Sequence, residues 1–409
     1  MLEIVQPSAV RATAICSAPR AAPRMKIVKL DVPAGVVVGP SGCCCAPMAG
    51  DNAIAAAKPH PRIKWLERMS QHNTAIPGVS SRGYDAARSH AAFFERTNRA
   101  RIVVSGRDRA SYLHGLLTND IASLAAGEGR YAAYLTPQSR MIADLFVYEL
   151  GDVLLLVVPG ETKDAVLTKF DQFIFSEDVQ LGDVTNAFAE IAVVGPDAST
   201  VVASVTGVDV SRLQRLPEHG NVRAEFRGRP AIITRITDTG EAGYDLFVER
   251  EQAGVLIDLL AAEPAAAVAL DDETTEALRI EAGVPLFGRD MDQDTIPLEA
   301  GIESRAISFS KGCYVGQEVI IRVMHRGHGR VAKKLVGVTM DGKAVPARGA
   351  SIRAGDREVG LVTSSTFSPA LDKPIALGYV HRDFAAPGTE VTVDSLPATV
   401  TPLPFVGRQ

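Results

Sequence analysis

Apolar residues first recur with the spacing of packed elements near Ala87, and from there the chain reads as alternating strands and helices. Residues 101–104 form a short strand, and Asp108 is placed to cap a helix that brings Leu113, Leu116, Leu117 and Ile121 onto one face. Residues 141–150 read as a strand and residues 152–158 as its hairpin partner, turning at Gly151-Asp152. Along the first strand Ile142, Phe146 and Tyr148 share a face with Asp144, while Met141, Leu145 and Val147 line the other. An acid on a strand with two apolar faces needs a partner. Residues 161–175 follow as an amphipathic helix with Val166, Leu167, Phe170, Phe173 and Ile174 along one stripe.

Strands at 190–194, 230–235 and 244–249 and a helix at 252–262 come next. The order strand, helix, strand, strand, helix predicts an α+β fold with a ferredoxin-like layer. Asp271 and Asp272 open a helix that residues 273–282 complete, with Gly283 as its stop and Pro285 behind it. Short strands at 335–340, 358–364, 375–381 and 390–393, separated by Gly, Pro and Asp turns, predict a small antiparallel β-barrel or jelly roll. The last residues, with Pro397, Pro402 and Pro404, are expected to trail along its surface. The chain thus divides into an extension (1–85), two α+β lobes (86–330) and a barrel (331–409).

The extension is rich in Ala, Pro, Gly and Ser without sustained periodicity, so disorder is expected. Its first thirty residues carry Arg11, Arg20, Arg24, Lys26 and Lys29 against Glu3 alone, which resembles a transit peptide. An upstream extension with Met69 as the natural start is an equally good reading. The localisation expected is cytoplasmic, or the mitochondrial matrix if the segment is a transit peptide.

The 409 residues are 46% hydrophobic and 22% charged, as in ordinary soluble proteins, and no apolar run approaches the ~20 residues of a membrane span. The formal net charge of -5 gives no general attraction to nucleic acid. Cys43, Cys44 and Cys45 are adjacent, lack metal-ligand spacing and read as tail composition in a reducing compartment. Asp290, Asp292 and Asp294 lack the glycine and glutamate of a calcium loop and read as a solvated loop. A metal site is expected nowhere.

The stretch richest in candidate chemistry is residues 311–318, K-G-C-Y-V-G-Q-E. Cys313 is flanked by glycines that leave backbone amides accessible, Lys311 favours thiolate, and Gln317 adds a hydrogen-bonding group. The bland alternative is a small buried hydrophobe.

This stretch resembles the signature of the folate-binding YgfZ family and its mitochondrial iron–sulfur assembly counterparts, relatives of the glycine-cleavage T-protein aminomethyltransferase; the wider resemblance runs from about Ala87 to about Pro404. It implies a T-protein-like fold around a central folate cavity, tetrahydrofolate as cofactor, and a monomer with no membrane contact. It also implies support of iron–sulfur cluster assembly and of cluster enzymes such as those that modify tRNA, with iron–sulfur assembly proteins or client enzymes as partners. The other activity it allows is folate-dependent aminomethyl transfer.

Residue by residue, the turn T-D-T-G-E-A-G-Y at 237–244 is similar to the family's T-G-E-D-G-F turn, whose glutamate binds the pterin; here that residue is Glu241, with Tyr244 beside it. L-R-I-E-A-G-V-P at 278–285 implies Arg279 at the folate, and Thr118-Asn119-Asp120 matches T-N-D, a folate contact at Asn119 or simply a helix stop. The aminomethyltransferases carry two adjacent aspartates where this chain has Ala143-Asp144, which leaves Asp144 as the candidate acid or base. Residues 322–334 hold Arg322, Arg326, Arg330, Lys333 and Lys334 with His325 and His328; they are a solvated connector, an anchor for a folate glutamyl tail or a tRNA contact.

Overall fold

The computed structural model describes residues 79–327 and 329–407. The extension up to residue 78, with the cysteine triplet and Met69, lies outside them, as does His328. Where description begins, Ser81–Ser89 is already a helix, its Ser80 hydroxyl capping Gly83, so order starts before the expected boundary at 85.

Eleven strands build two sheets: β1 (Ala92–Glu95), β2 (Arg99–Ser105), β3 (Gly129–Leu135), β4 (Met141–Glu149), β5 (Leu154–Pro159), β6 (Gln180–Asp183), β7 (Phe188–Val194), β8 (Asn221–Phe226), β9 (Arg229–Ile236), β10 (Gly243–Glu249) and β11 (Val268–Ala269). The first sheet runs β3-β4-β5-β2-β6 and the second β11-β1-β7-β10-β9-β8, with only β1–β11 parallel. Each carries helices on its outer face, covering one core around Ile102, Leu145 and Phe170 and another around Ile191, Ile233 and Leu256. Their inner faces meet in a thinner apolar layer of Val103, Tyr148, Leu155 and Phe247. Strand alternation therefore decides which residues reach the space between the sheets.

The third unit is a closed barrel of β12 (Lys333–Met340), β13 (Ser351–Ala354), β14 (Arg357–Ser368), β15 (Lys373–His381), β16 (Glu390–Val393) and β17 (Leu396–Thr401). The tail expected to trail begins as the strand that closes it, β17, and of its prolines only Pro402 and Pro404 follow beyond. Pro397 pairs only toward β16, and the pairing to β12 starts at Ala398, so the missing N–H costs no ladder bond on the second side.

The helix Asp272–Glu281 locks barrel to sheets. Asp271 caps it by accepting from Thr274 N–H at 2.7 Å, and its far end holds Glu281, fully buried, which accepts from the hydroxyls of Tyr84 and Ser368 and from Arg88. The expected helix at 161–175 spans Lys163–Asp171 only, leaving Phe173 half exposed. Asp290, expected in a solvated loop, is buried between the Arg279 guanidinium, Leu286 N–H and the Thr363 hydroxyl.

Candidate functional site

At one end of the intersheet layer the apolar packing opens into a cavity of about 880 Å³, within the range of small-molecule sites. Asp144 stands in its wall because β4 alternates: Ala143 and Leu145 point into the helix-covered core while Asp144 and Phe146 point inward. The aspartate missing at position 143 would therefore have faced apolar core, and the cavity keeps its one carboxylate from this strand.

Tyr131 on β3 donates from its hydroxyl to Asp144 Oδ2 at 2.7 Å, and its ring packs on Phe146 with centroids 5.2 Å apart. Burial raises the Asp144 carboxyl above the ordinary range, against the pull of the Tyr131 hydroxyl, Arg99 and Arg305. A carboxyl so placed can hold a proton and exchange it with a bound molecule.

Arg99 lies over the Phe146 ring at 5.0 Å and donates to Asp238 at 3.0 Å. Arg96 donates to the other Asp238 oxygen at 2.8 Å and to Asp245 at 2.7 Å. Burial opposes ionisation of Asp238, but Arg96 and Arg99 together pull its carboxyl below the usual range. His219 completes this side, its ring against Phe146 at 5.2 Å and its backbone in the left-handed region at φ 62°. Burial, with Arg305 nearby, lowers the His219 imidazole to about 4, so it is neutral at physiological pH. Its buried Nδ1 has no hydrogen-bond partner among the described residues.

The opposite wall comes from the connection toward the barrel. Arg279, Arg289 and Arg348 line it, and Arg348 is fixed by donating to the carbonyls of Gly288 and Arg289 at 3.1 and 2.9 Å. Arg279 is held by Glu276, Asp290 and Ser364. Five arginines and four carboxylates, Asp144, Glu161, Glu218 and Asp238, stand in the lining. The site suits a flat, polar-edged body with an anionic end.

Of the residues singled out in the sequence, Asp144 and Arg279 reach this cavity; Glu241, Tyr244, Asn119, Lys311, Cys313 and Gln317 are not in its wall. The turn at 237–244 reaches the cavity through Thr237 and Asp238, but Glu241 and Cys313 do not join Arg279 there. Glu241 is buried and tied to Arg88, which also binds Glu281. Tyr244 faces the helix-covered core. Asn119 spends its amide N–H groups on the carbonyls of Tyr131 and Arg305, at 2.8 and 3.0 Å, while the Thr118 hydroxyl binds the Ala306 carbonyl. The T-N-D segment is thus a clamp that sets Arg305 over the Tyr131 ring, 5.2 Å from its centroid.

The signature loop packs beside the cavity. Burial lowers the Lys311 ammonium to about 8, and its Nζ is held by the carbonyls of His114, Leu117 and Asn119. Gly316, at φ 86°, approaches so closely that a Cβ there would stand 2.6 Å from the Thr136 carbonyl oxygen, so this glycine serves packing rather than ligand access. Cys313 is exposed. Gln317 starts the helix Gln317–His325; of the basic residues expected to anchor a tail, Arg322 lies on this helix, Arg326 caps it, Arg330 follows, and Lys333 and Lys334 open β12, all outside the cavity lining. Among the described residues no group of three or more His, Cys, Asp or Glu could hold a metal ion, and no helix is long and apolar enough to cross a membrane.

The wall residues Tyr131, Arg99, His219, Asp238 and Arg305, and Arg96 behind Asp238, went unread in the sequence. Among them only Arg99 left a signal, since with Arg101 two residues on it pairs cations on one face of an apolar strand, and these demand buried acids opposite.

Comparison with known proteins matches residues 62–311 to the GCVT N-terminal domain and residues 333–407 to the glycine cleavage T-protein C-terminal barrel domain. An aminomethyltransferase of Streptomyces coelicolor is 34% identical over 333 residues, covering 79% of this chain and 88% of the relative. One from Rubrobacter xylanophilus is 32% identical over 328 residues, covering 80% and 86%. The crystal structure of glycine cleavage system aminomethyltransferase T from Bartonella henselae superposes with a TM-score of 0.75 over 86% of this chain and 99% of that one, at 24% identity, which speaks for the fold.

Proposed function

The chain belongs to the glycine cleavage T-protein family, and from that premise we propose that it binds tetrahydrofolate between its two sheets and transfers an aminomethyl-type one-carbon unit at Asp144. The observation that carries this reading is the Asp144 carboxyl, raised by burial and oriented by Tyr131 inside a cavity of about 880 Å³. With tetrahydrofolate bound, attack of one folate N–H on the methylene carbon would form an N–C bond as the carbon's bond to the donor's amine breaks, and Asp144 would carry the folate nitrogen's proton to that departing amine. Attack by the second folate N–H would then break the carbon's remaining bond to the donor, whose leaving atom takes the second proton, so Asp144 ends as it began. Phe146 and His219 offer faces for the pterin, and Arg289 and Arg348 suit the anionic glutamyl tail.

The test is titration with folinic acid alongside an assay of methylene-tetrahydrofolate formation from an aminomethyl donor. Asp144→Asn should lose turnover on the order of 10²- to 10⁴-fold with binding changed only a few-fold. Equal turnover in the two proteins rejects the reading.

A second reading, support of iron–sulfur cluster assembly and through it of cluster enzymes such as those that thiolate tRNA, is favoured by Cys313, exposed in a loop that resembles the YgfZ signature. A single thiol holds no cluster by itself, so the iron would be shared with a partner. Complementation of a strain lacking its YgfZ-type protein separates the two. Rescue lost in Cys313→Ser but kept in Asp144→Asn favours the cluster role, and the reverse pattern favours transfer chemistry.

A further inference from the structure

We propose that the other end of the intersheet layer is a second binding site, for a small amphipathic carboxylate, with Arg101 as its anion anchor. This does not rest on the folate reading. A cavity of about 320 Å³ lies there, and it shares no wall residue with the first. Its lining is mainly apolar, from Val103, Leu150, Val153, Leu155 and Phe247, and one buried cation, Arg101, stands among them. Arg101 is 3% exposed, and although its terminal nitrogens donate to Glu190 and to the Thr185 carbonyl, its Nε has no hydrogen-bond partner among the described residues. An unspent donor on a buried guanidinium facing an apolar cavity is an open position for an anion.

The charge arrangement points the same way. Arg96, Arg99 and Arg101 face Glu190, Asp238 and Asp245 in one buried cluster. Burial raises the Glu190 carboxyl, against the pull of Arg99, Arg96 and Arg101. Whenever Glu190 carries its proton, three guanidinium cations are left with two carboxylates, and a ligand carboxylate at Arg101 restores the balance. The entrance is spanned by Asp152, in the β4–β5 turn of one sheet, paired with Arg223 on β8 of the other; both are at least half exposed. Such a pair holds little energy and opens easily. The remaining acid at the rim, Glu249, is paired with Arg229 at 3.7 Å and so presents less charge to the ligand. The occupant that fits has an apolar chain under the rim and a carboxylate at Arg101.

Calorimetric titration of the full chain with hexanoate, octanoate and decanoate, and with octanol as the neutral control, tests this. We expect one saturable site whose affinity grows about fourfold per methylene until the cavity is full, the fold-change that ~0.8 kcal/mol per buried CH₂ implies. Octanol should bind at least tenfold more weakly than octanoate, and Arg101→Met should erase that difference. Because Arg101 also neutralises Glu190, Val153→Phe serves as an independent variant that fills the cavity; it should cost octanoate tenfold or more, whereas Asp144→Asn should leave it unchanged. Absence of saturable binding, octanol binding as tightly as octanoate, or full binding by Val153→Phe overturns the proposal. So does loss of octanoate binding in Asp144→Asn, which would put the ligand in the first cavity.

Discussion

Tyr131 Oη and Asp144 Oδ2 meet at 2.7 Å across neighbouring strands, and this one hydrogen bond both aims the carboxyl at the cavity and restrains its proton affinity. Burial raises that affinity and the phenol lowers it. In Tyr131→Phe the restraint is gone, so the Asp144 carboxyl should hold its proton to higher pH. The acid limb of the transfer rate's pH profile should move upward relative to wild type. A limb that stays in place would mean that Asp144 is not the titrating group.

The same burial predicts a cost in stability. A carboxyl whose folded pKa lies above its unfolded one favours the folded state while protonated, and that advantage fades as pH rises through the folded value. Asp144→Asn cannot ionise, so its melting temperature should exceed wild type near neutral pH, and the gain should vanish as the pH falls through the carboxylate range. Such a trade of stability for chemistry is common at functional sites. Thermal unfolding at several pH values measures it.

For His219 the sign is reversed. Its imidazole is lowered from 6.5 to about 4, so the folded protein resists a proton that the unfolded chain accepts. The stability is present in full above the unfolded value and is lost as pH falls from there toward about 4, by at most about 3 kcal/mol. His219→Asn keeps a residue type that tolerates the left-handed backbone but removes the titration. Its acid unfolding should be shallower across that window, as chemical denaturation at fixed pH values would show.

What the sequence disclosed and what it hid follow from the range of the signals. Period-two alternation placed Asp144 on the Phe146 face and Leu145 and Val147 on the other, and these assignments hold because each face of β4 meets its own apolar layer. Helix ends were legible where a side chain caps locally, as Asp271 does. Partnership between distant segments was not: Glu241 and Arg88 are 153 residues apart, and nothing near the turn announces that its carboxylate already has a guanidinium. Tyr131 escaped for a related reason, since β3 is inward-facing at Tyr131 and its role arises from pairing with β4. Pro397 misled because a proline deters a central strand, whereas here it sits just before double pairing begins.

The Arg88–Glu241 pair yields a prediction of its own. Arg88 joins Glu241 to Glu281 and so ties the 237–244 turn to the helix Asp272–Glu281 and, through Ser368, to the barrel. Glu241→Gln leaves the guanidinium one carboxylate short in a nearly buried setting and should lower unfolding stability by about 1–3 kcal/mol. Folinic acid affinity should change less than twofold, since Glu241 is outside the cavity lining. A large loss of affinity at unchanged stability would instead make Glu241 a ligand to the pterin.

The exposed arginines of the cavity wall set the last expectation. Arg289 is 53% exposed and balanced by Glu276 at 2.7 Å, whereas Arg348 is fixed by carbonyls alone and keeps its full charge for a ligand. If the glutamyl tail leaves along this wall, longer tails bring more carboxylates past both guanidinium groups. The Arg289→Ala, Arg348→Ala double variant should then bind a polyglutamylated folate on the order of tenfold more weakly while losing little for the monoglutamate. Because exposed charges are screened within about 3 Å at 1 M salt, the difference between the two tail lengths should largely disappear there. Titrations of both folates at low and high salt measure it, and an equal loss for both tail lengths would put the tail on another path.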